Sequence, residues 1–290
     1  GPMKYHVLVE RPEPGPNDWV VEGTEVRKGE VITLLGNLIV KPGGNLTLIN
    51  CLIYIYCSYP GEWQVFVDNG GVLKTVNTTI TAARKRKGFI FHIRGQVYLY
   101  RSRITASDMY FLTKETIDMR ECVYNASSDI YDVLFHKSKH VFLRSCNFLG
   151  EDLPCVFQNC SDVYISNCYF RYVDLRFENS GDAYITNCNL TYSLELKDSR
   201  DIRITDCVLS GFIRCRECVR IAIVDCSFSE GSITITGHEL RHYASHTITN
   251  VLIGGKPVYY VVNSSGLTIS GKVGEAIVVN SHDIKIRYMI

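Results

Sequence analysis

Ile165-Ser166-Asn167-Cys168 is followed by Ile185-Thr186-Asn187-Cys188, then by Ile204-Thr205-Asp206-Cys207 and Ile223-Val224-Asp225-Cys226. An earlier copy stands at Leu48-Ile49-Asn50-Cys51, and looser ones run from Met119 to Cys122 and from Leu143 to Cys146. Thr78 and Ser102 fill the cysteine position in two more copies. That position falls at 51, 78, 102, 122, 146, 168, 188, 207 and 226, so successive spacings are 27, 24, 20, 24, 22, 20, 19 and 19 residues. A period near 20 that tolerates insertions predicts a solenoid, because loops lengthen between stacked strands without disturbing them.

Around this position the apolar residues alternate with period two, the mark of a strand rather than a helix. Three residues before it stand Leu48, Leu99, Met119, Leu143, Ile165, Ile185, Ile204 and Ile223; two after it stand Ile53, Ile80, Ile104, Tyr124, Phe148, Phe170, Leu190, Leu209 and Phe228. Eleven before it runs a phenylalanine series, Phe91, Phe111, Phe135, Phe157 and Phe177. No single coil can bury such a face, but stacked coils make one core. The predicted fold is all-β, a single-stranded right-handed parallel β-helix of about ten or more coils. It fills residues 19–290, with a short helical insertion at 237–246.

Residues 1–18 read as a lead-in. Gly1-Pro2-Met3 has the look of a cleaved tag, and Glu10 to Asp18, with three prolines, leads into or caps the first coil. Met3 as a native start would fit the cytoplasm. The sequence ends at Ile290 inside a strand pattern. An open solenoid end exposes unpaired backbone, which predicts further coils or a homo-oligomer formed through the C-terminal coil.

The composition is that of a soluble globular chain, 46% hydrophobic and 21% charged, with a net charge of +1. Nothing in this balance calls for nucleic acid. No run approaches the roughly 18 apolar residues of a transmembrane helix, so membrane insertion of this segment is not expected. The twelve cysteines fall largely on repeat positions that also hold serine and threonine. They read as reduced structural thiols, since a buried cysteine behaves as a small apolar residue.

The stretch Gly36-Asn37-Leu38-Ile39-Val40-Lys41-Pro42-Gly43-Gly44-Asn45-Leu46-Thr47-Leu48 resembles the entry coil of archaeal proteins of the NosD-like group. That group belongs to a wider class of β-helices found in carbohydrate-binding proteins and sugar hydrolases. His246-Thr247-Ile248, Gly254-Gly255-Lys256-Pro257-Val258-Tyr259-Tyr260-Val261-Val262-Asn263, Gly274, Ala276 to Asn280 and Ile284-Lys285-Ile286 resemble later coils of the same group. The resemblance implies an extracytoplasmic or cell-surface protein. The namesake's role is copper-enzyme maturation, whereas this chain carries no Met-rich or His-rich tract.

Three sets of residues bear on function. His238-Glu239-Leu240-Arg241-His242 spells the H-E-x-x-H zinc signature, with His246 a further turn on. On a helix the three histidines would share a face, as metal binding requires. The segment's place in a short insertion, without a second domain to form a cleft, argues instead for a structural role. Asp162, Asp182 and Asp201 form one acidic ladder, and Asp206 and Asp225 another. Stacked carboxylates can serve as general acid and base, or hold calcium beside a basic residue. Asp and Asn also cap tight turns, the simpler role at such positions. The third set is an outward strip of Tyr98, Tyr100, Arg120, Phe142, Arg144, Tyr164, Tyr184 and Arg203, flanked by Arg101 and Arg103. Aromatic rings offer faces to sugars and guanidinium groups bind carboxylates in a bidentate manner.

The leading expectation is a non-catalytic surface or envelope module that binds a polysaccharide or a protein partner along one sheet. The alternatives are a polysaccharide lyase, hydrolase or epimerase using stacked Asp residues, and a self-associating structural spacer. No cofactor is required by the sequence.

Overall fold

A computed structural model describes residues 10–125 and 132–287. The chain winds into a parallel β-solenoid of about 12 turns. Each complete coil contributes three strands and so three faces. In one coil these are Asp108–Phe111 on the first face, Ile117–Arg120 on the second and Val123–Asn125 on the third. The second face is an 11-stranded parallel sheet; the first and third join into one of 22 strands. They join because Asn147–Gln158 and Tyr169–Glu178 each run from the third face of one coil into the first face of the next.

The core is a set of ladders running along the solenoid axis. On the first face, Phe111, Phe135, Phe157 and Phe177 lie one above another, with ring centroids 4.5, 4.4 and 4.7 Å apart and planes within 8°. Phe148 and Phe170 stack likewise on the third face, at 5.0 Å. These distances follow the roughly 4.7–4.9 Å spacing of neighbouring strands.

Corners between faces are made by single residues in the left-handed backbone region. One corner holds Asn50, Asn77, Arg101, Glu121, Ser145, Asn167, Asn187, Asp206, Asp225 and Asn250, with φ between 48° and 55°. Asn and Asp tolerate this region better than most residues. Their side chains also join coil to coil: the Asn77 amide donates to Asn50 Oδ1 at 2.9 Å and that of Asn187 to Asn167 at 2.6 Å. At an early corner, glycine answers a tighter need. A Cβ on Gly44 would lie 2.5 Å from the Val21 carbonyl oxygen.

The cysteine position follows that corner directly. All twelve thiols are free and buried. Their role is more than space filling. Cys146 Sγ lies 3.3 Å from both Arg144 O of its own coil and Met119 O of the coil before. Thr78 Oγ1 donates to Val76 O and Leu48 O at 3.0 and 3.2 Å, and Ser102 Oγ to Tyr100 O at 2.9 Å. A small buried donor is what the corner asks for, which explains why Cys, Thr and Ser interchange. Burial pushes the Cys160 thiol up to about 12 and that of Cys218 up to about 11, so both stay protonated and unreactive at neutral pH.

The first coil is closed by polar residues in core register. Glu25 and Arg27 pair with Leu46 and Leu48 in the sheet, yet they bond to each other at 2.8 Å, and Trp19 Nε1 donates to Glu25 at 3.2 Å. A solenoid needs such an end, since a bare coil would expose its core to water. The lead-in is tied down too. Asp18 Oδ1 accepts the Asn37 amide at 2.6 Å, and Arg11 meets Asp68 at 3.3 Å. Gly1-Pro2-Met3 and Ile290 lie outside the described residues.

The insertion at 237–246 contains only one helical turn, Arg241–Ala244. His238 precedes it and His246 follows it, so the three histidines do not share a helical face. Of the ten residues between the two strands, only these four are helical, and Tyr243 bonds back to Gly237 to close the loop.

The ladders predict a sharp contrast between inward and outward rings. Phe157→Ala should lower unfolding free energy by about 3–5 kcal/mol, and Tyr184→Ala on the outer surface by less than about 1 kcal/mol. Denaturant titration of the two variants checks this; similar losses would mean that the phenylalanine column is not the core.

Candidate functional site

Three residues before Phe111, Phe135 and Phe177 stand Asp108, Asp132 and Asp174. The strand alternation that sends each phenylalanine inward sends these carboxylates outward on the first face. Val133 is registered to Met109, which sets Asp132 beside Asp108 one coil on. The Asp132 amide donates to Asp108 Oδ1 at 3.1 Å. The next ladder along the face carries Tyr110, Leu134, Val156, Arg176, Glu195 and Arg214.

Apolar neighbours make this outer surface unusually dry. Tyr110, Leu134 and Val156 are buried together against Ile90 and Leu112. The effect on ionisation is large. Burial raises the Asp108 carboxyl to about 6, and the nearby Asp132 carboxylate adds to the rise. Asp132 is also raised by burial, offset by the Arg176 guanidinium. The Tyr110 phenol is raised as well, by burial first and then by the two carboxylates. Two partly desolvated carboxylates with pKa values moved toward neutrality are the arrangement that general acid–base chemistry requires.

Beyond them lies an ordered chain of charge. Ser193 Oγ donates to Asp174 Oδ1 at 2.5 Å, and Arg176 Nε to Asp174 Oδ2 at 2.7 Å. Arg176 Nε also lies 3.5 Å from Glu195, which takes Arg214 Nη1 at 2.8 Å. On the other side of the pair, His92 is fully buried and packs edge-on against Phe66 at 4.9 Å. Burial, then Arg94, pushes its pKa down to about 3. It is therefore neutral, and Arg94 Nε donates to its Nε2 at 3.3 Å.

The acidic ladders expected at the turns lie elsewhere. Asp162, Asp182 and Asp201 occupy corners with φ of 55°, 52° and 54°; Asp206 and Asp225 occupy another at 54° and 53°. Arg220 grips Asp201 in a bidentate pair at 2.6 and 2.7 Å, holding its carboxyl below the usual range. Asp225 accepts from Asn250 at 3.0 Å. A polar groove of about 350 Å³ lies beside Asp182, lined also by Asn159, Asn179, Asp198 and Arg200.

The aromatic and arginine strip is divided. Phe142, Tyr164 and Tyr184 stack on the second face at 5.3 and 5.2 Å with planes within 11°. Ring faces spent on one another leave edges toward solvent, so the column offers few flat faces to a sugar. Arg203 follows Tyr184 in register, and Arg144 lies over Phe142 at 5.2 Å. Tyr98, Tyr100 and Arg120 gather with Lys74 and Asp118 around a groove of about 560 Å³. Arg120 is paired with Asp118 at 2.6 Å. Arg101 sits in a corner and binds Glu121 at 2.8 Å. Arg103 belongs to the third face, past the corner from the strip, because alternation does not carry across the turn.

The histidines do not converge. His238 Nε2 and His242 Nδ1 approach different oxygens of Glu217, at 3.3 and 2.9 Å. Both ring nitrogens of His246 are taken, one by the Ile221 amide at 3.2 Å and one by the His242 carbonyl at 2.7 Å. Among the described residues, no group of three or more His, Cys, Asp or Glu side chains is placed to hold a metal ion, and no helix is long and apolar enough to cross a membrane.

No protein-family model matches the chain, and no curated protein does. A solved structure does: a double mutant of the periplasmic alginate epimerase AlgG. The two superpose with a TM-score of 0.52 at 9% identity, over 89% of this chain and 78% of that one. The likeness is one of fold. The chain is a right-handed parallel β-helix.

The raised Asp108 carboxyl has a thermodynamic consequence. Its folded pKa, about 6, exceeds the ordinary 3.8, so the folded protein holds a proton that the unfolded chain has released. Stability from this residue is fully present below about pH 4 and is lost as pH rises through 6. Asp108→Asn should therefore gain stability on the order of 2 kcal/mol relative to the parent at pH 7.5 compared with pH 3.5. Denaturant melts at the two pH values measure this; a difference that does not change with pH would contradict the assignment.

Proposed function

We propose that this chain modifies an acidic polysaccharide, with Asp108, Tyr110, Asp132, Asp174 and Arg176 on the first face as its reaction centre. The reaction class is proton transfer at the carbon next to a sugar carboxylate, as in an epimerase or lyase. The observation that carries the proposal is the pair of adjacent carboxylates raised by burial beside an arginine. Asp132, whose rise is offset by Arg176, takes the proton from that carbon. Asp108, which holds its proton up to about pH 6, gives one to the departing glycosidic oxygen in elimination, or back to the same carbon on its other face in epimerisation. Arg176 supplies positive charge near the sugar carboxylate, where charge accumulates as the proton leaves. Asp174 and Glu195 position that guanidinium.

The fold shared with an alginate epimerase supports the reading. Kinship with the NosD-like group rests on the Gly36–Leu48 and Gly254–Ile286 phrases, and an extracytoplasmic location goes with it. A second reading keeps the non-catalytic expectation, with a glycan or protein partner bound at the groove of Lys74, Tyr98, Tyr100 and Arg120 on the second face.

One set of assays separates the two. Alginate and polygalacturonate are incubated with the protein and analysed by NMR for inverted or unsaturated sugar units. Turnover is expected, with Asp108→Asn and Asp132→Asn each lowering it about 10²–10⁴-fold and Tyr98→Ala leaving it unchanged. No product from any acidic polymer, together with binding lost in Tyr98→Ala, would overturn the proposal in favour of the second reading.

A further inference from the structure

Downstream of Arg176, the first face carries a groove of about 330 Å³ lined by Glu178, Glu195, Lys197, Arg214, Arg216 and Thr236 among others. Lys197 and Arg216 are registered directly opposite each other on adjacent strands. Like charges so placed repel, and folded proteins usually set a carboxylate between them. Glu178 stands in register with Lys197 on its other side, and no carboxylate is paired with Arg216 among the described residues. Glu195 takes Arg214, Glu178 accepts from Gln158 at 3.2 Å, and Glu217 is held by His238 and His242. Asp198 lies 3.9 Å from Lys197. Arg216 is exposed and has no ion pair among the described residues.

We propose that Lys197 and Arg216 bind the carboxylate of a sugar unit in an acidic oligosaccharide lying along the solenoid axis. This rests on the reaction centre proposed above and extends it. Arg176 lines both the reaction centre and this groove, so one ligand can span them. Adjacent coils repeat about every 4.7–4.9 Å, which places successive cationic side chains at a spacing of the order of a sugar unit. The free guanidinium offers bidentate recognition of a carboxylate and Lys197 a second positive charge.

The test is calorimetric titration of the whole chain with an oligogalacturonate, an oligoalginate and a neutral cello-oligosaccharide. The acidic oligomers should bind more tightly than the neutral one. The double variant Lys197→Ala/Arg216→Ala should weaken them about ten- to a hundredfold. It should leave the neutral oligomer unaffected and flatten the dependence on salt. The exchange Lys197→Arg, which keeps the charge, should retain affinity. Acidic oligomers that bind the double variant as tightly as the parent, or fail to bind the parent, would overturn the proposal. Binding that depends on Lys197 and Arg216 without any turnover would leave this site standing and refute the reaction centre alone.

Discussion

Every coil of this protein buries its apolar side only against its neighbours, so the stacking register between parallel strands is the constraint on which the rest depends. It fixes side-chain direction at each position along the axis. A shift of one residue would send the phenylalanine column to solvent and the outer carboxylates into the core. The corners preserve that register. Left-handed residues, most of them Asn or Asp, turn the chain at the same point in successive coils, and the small thiol or hydroxyl that follows bonds the carbonyls of its own coil and the one before.

The same register builds chemistry on the outside. Residues far apart in sequence become neighbours at strand spacing, so Asp108 meets Asp132, and Arg176, Glu195 and Arg214 follow in line. What sets the first face apart is its dryness. On the corners Asp201 and Asp225 are satisfied by Arg220 and Asn250 in contact with water. Asp108 and Asp132 instead lie beside buried Tyr110 and Leu134, where an ionised carboxylate is costly. The ladder geometry is common to both places; what differs is the desolvation that raises Asp108 and Asp132.

Much of this architecture is legible in the sequence, because a period of about 20 residues and a strand alternation of two leave few other folds. The candidate site was harder to read. The phenylalanine series already marked it, since Asp108, Asp132 and Asp174 each precede a member by three residues. The Asp residues that recur in the sequence, Asp162, Asp182 and Asp201 in one ladder and Asp206 and Asp225 in another, stand at corners in the left-handed region. Arg101 and Arg103, which flank the aromatic strip in sequence, stand at the corner and on the third face. Burial of an outward position is not written in local pattern at all; it arises from neighbours such as Leu134 and Val156 one and two coils away. In the H-E-x-x-H phrase only Arg241–Ala244 is helical, so His238, His242 and His246 are not set on one helical face.

The most direct test of where this molecule meets its ligand is a crystal structure after soaking with an oligouronate. An oligosaccharide is expected along the first face, running from Asp108 and Asp132 past Arg176 to Lys197 and Arg216. Sugar density at Tyr98, Tyr100 and Arg120 on the second face, with the first face empty, would contradict it.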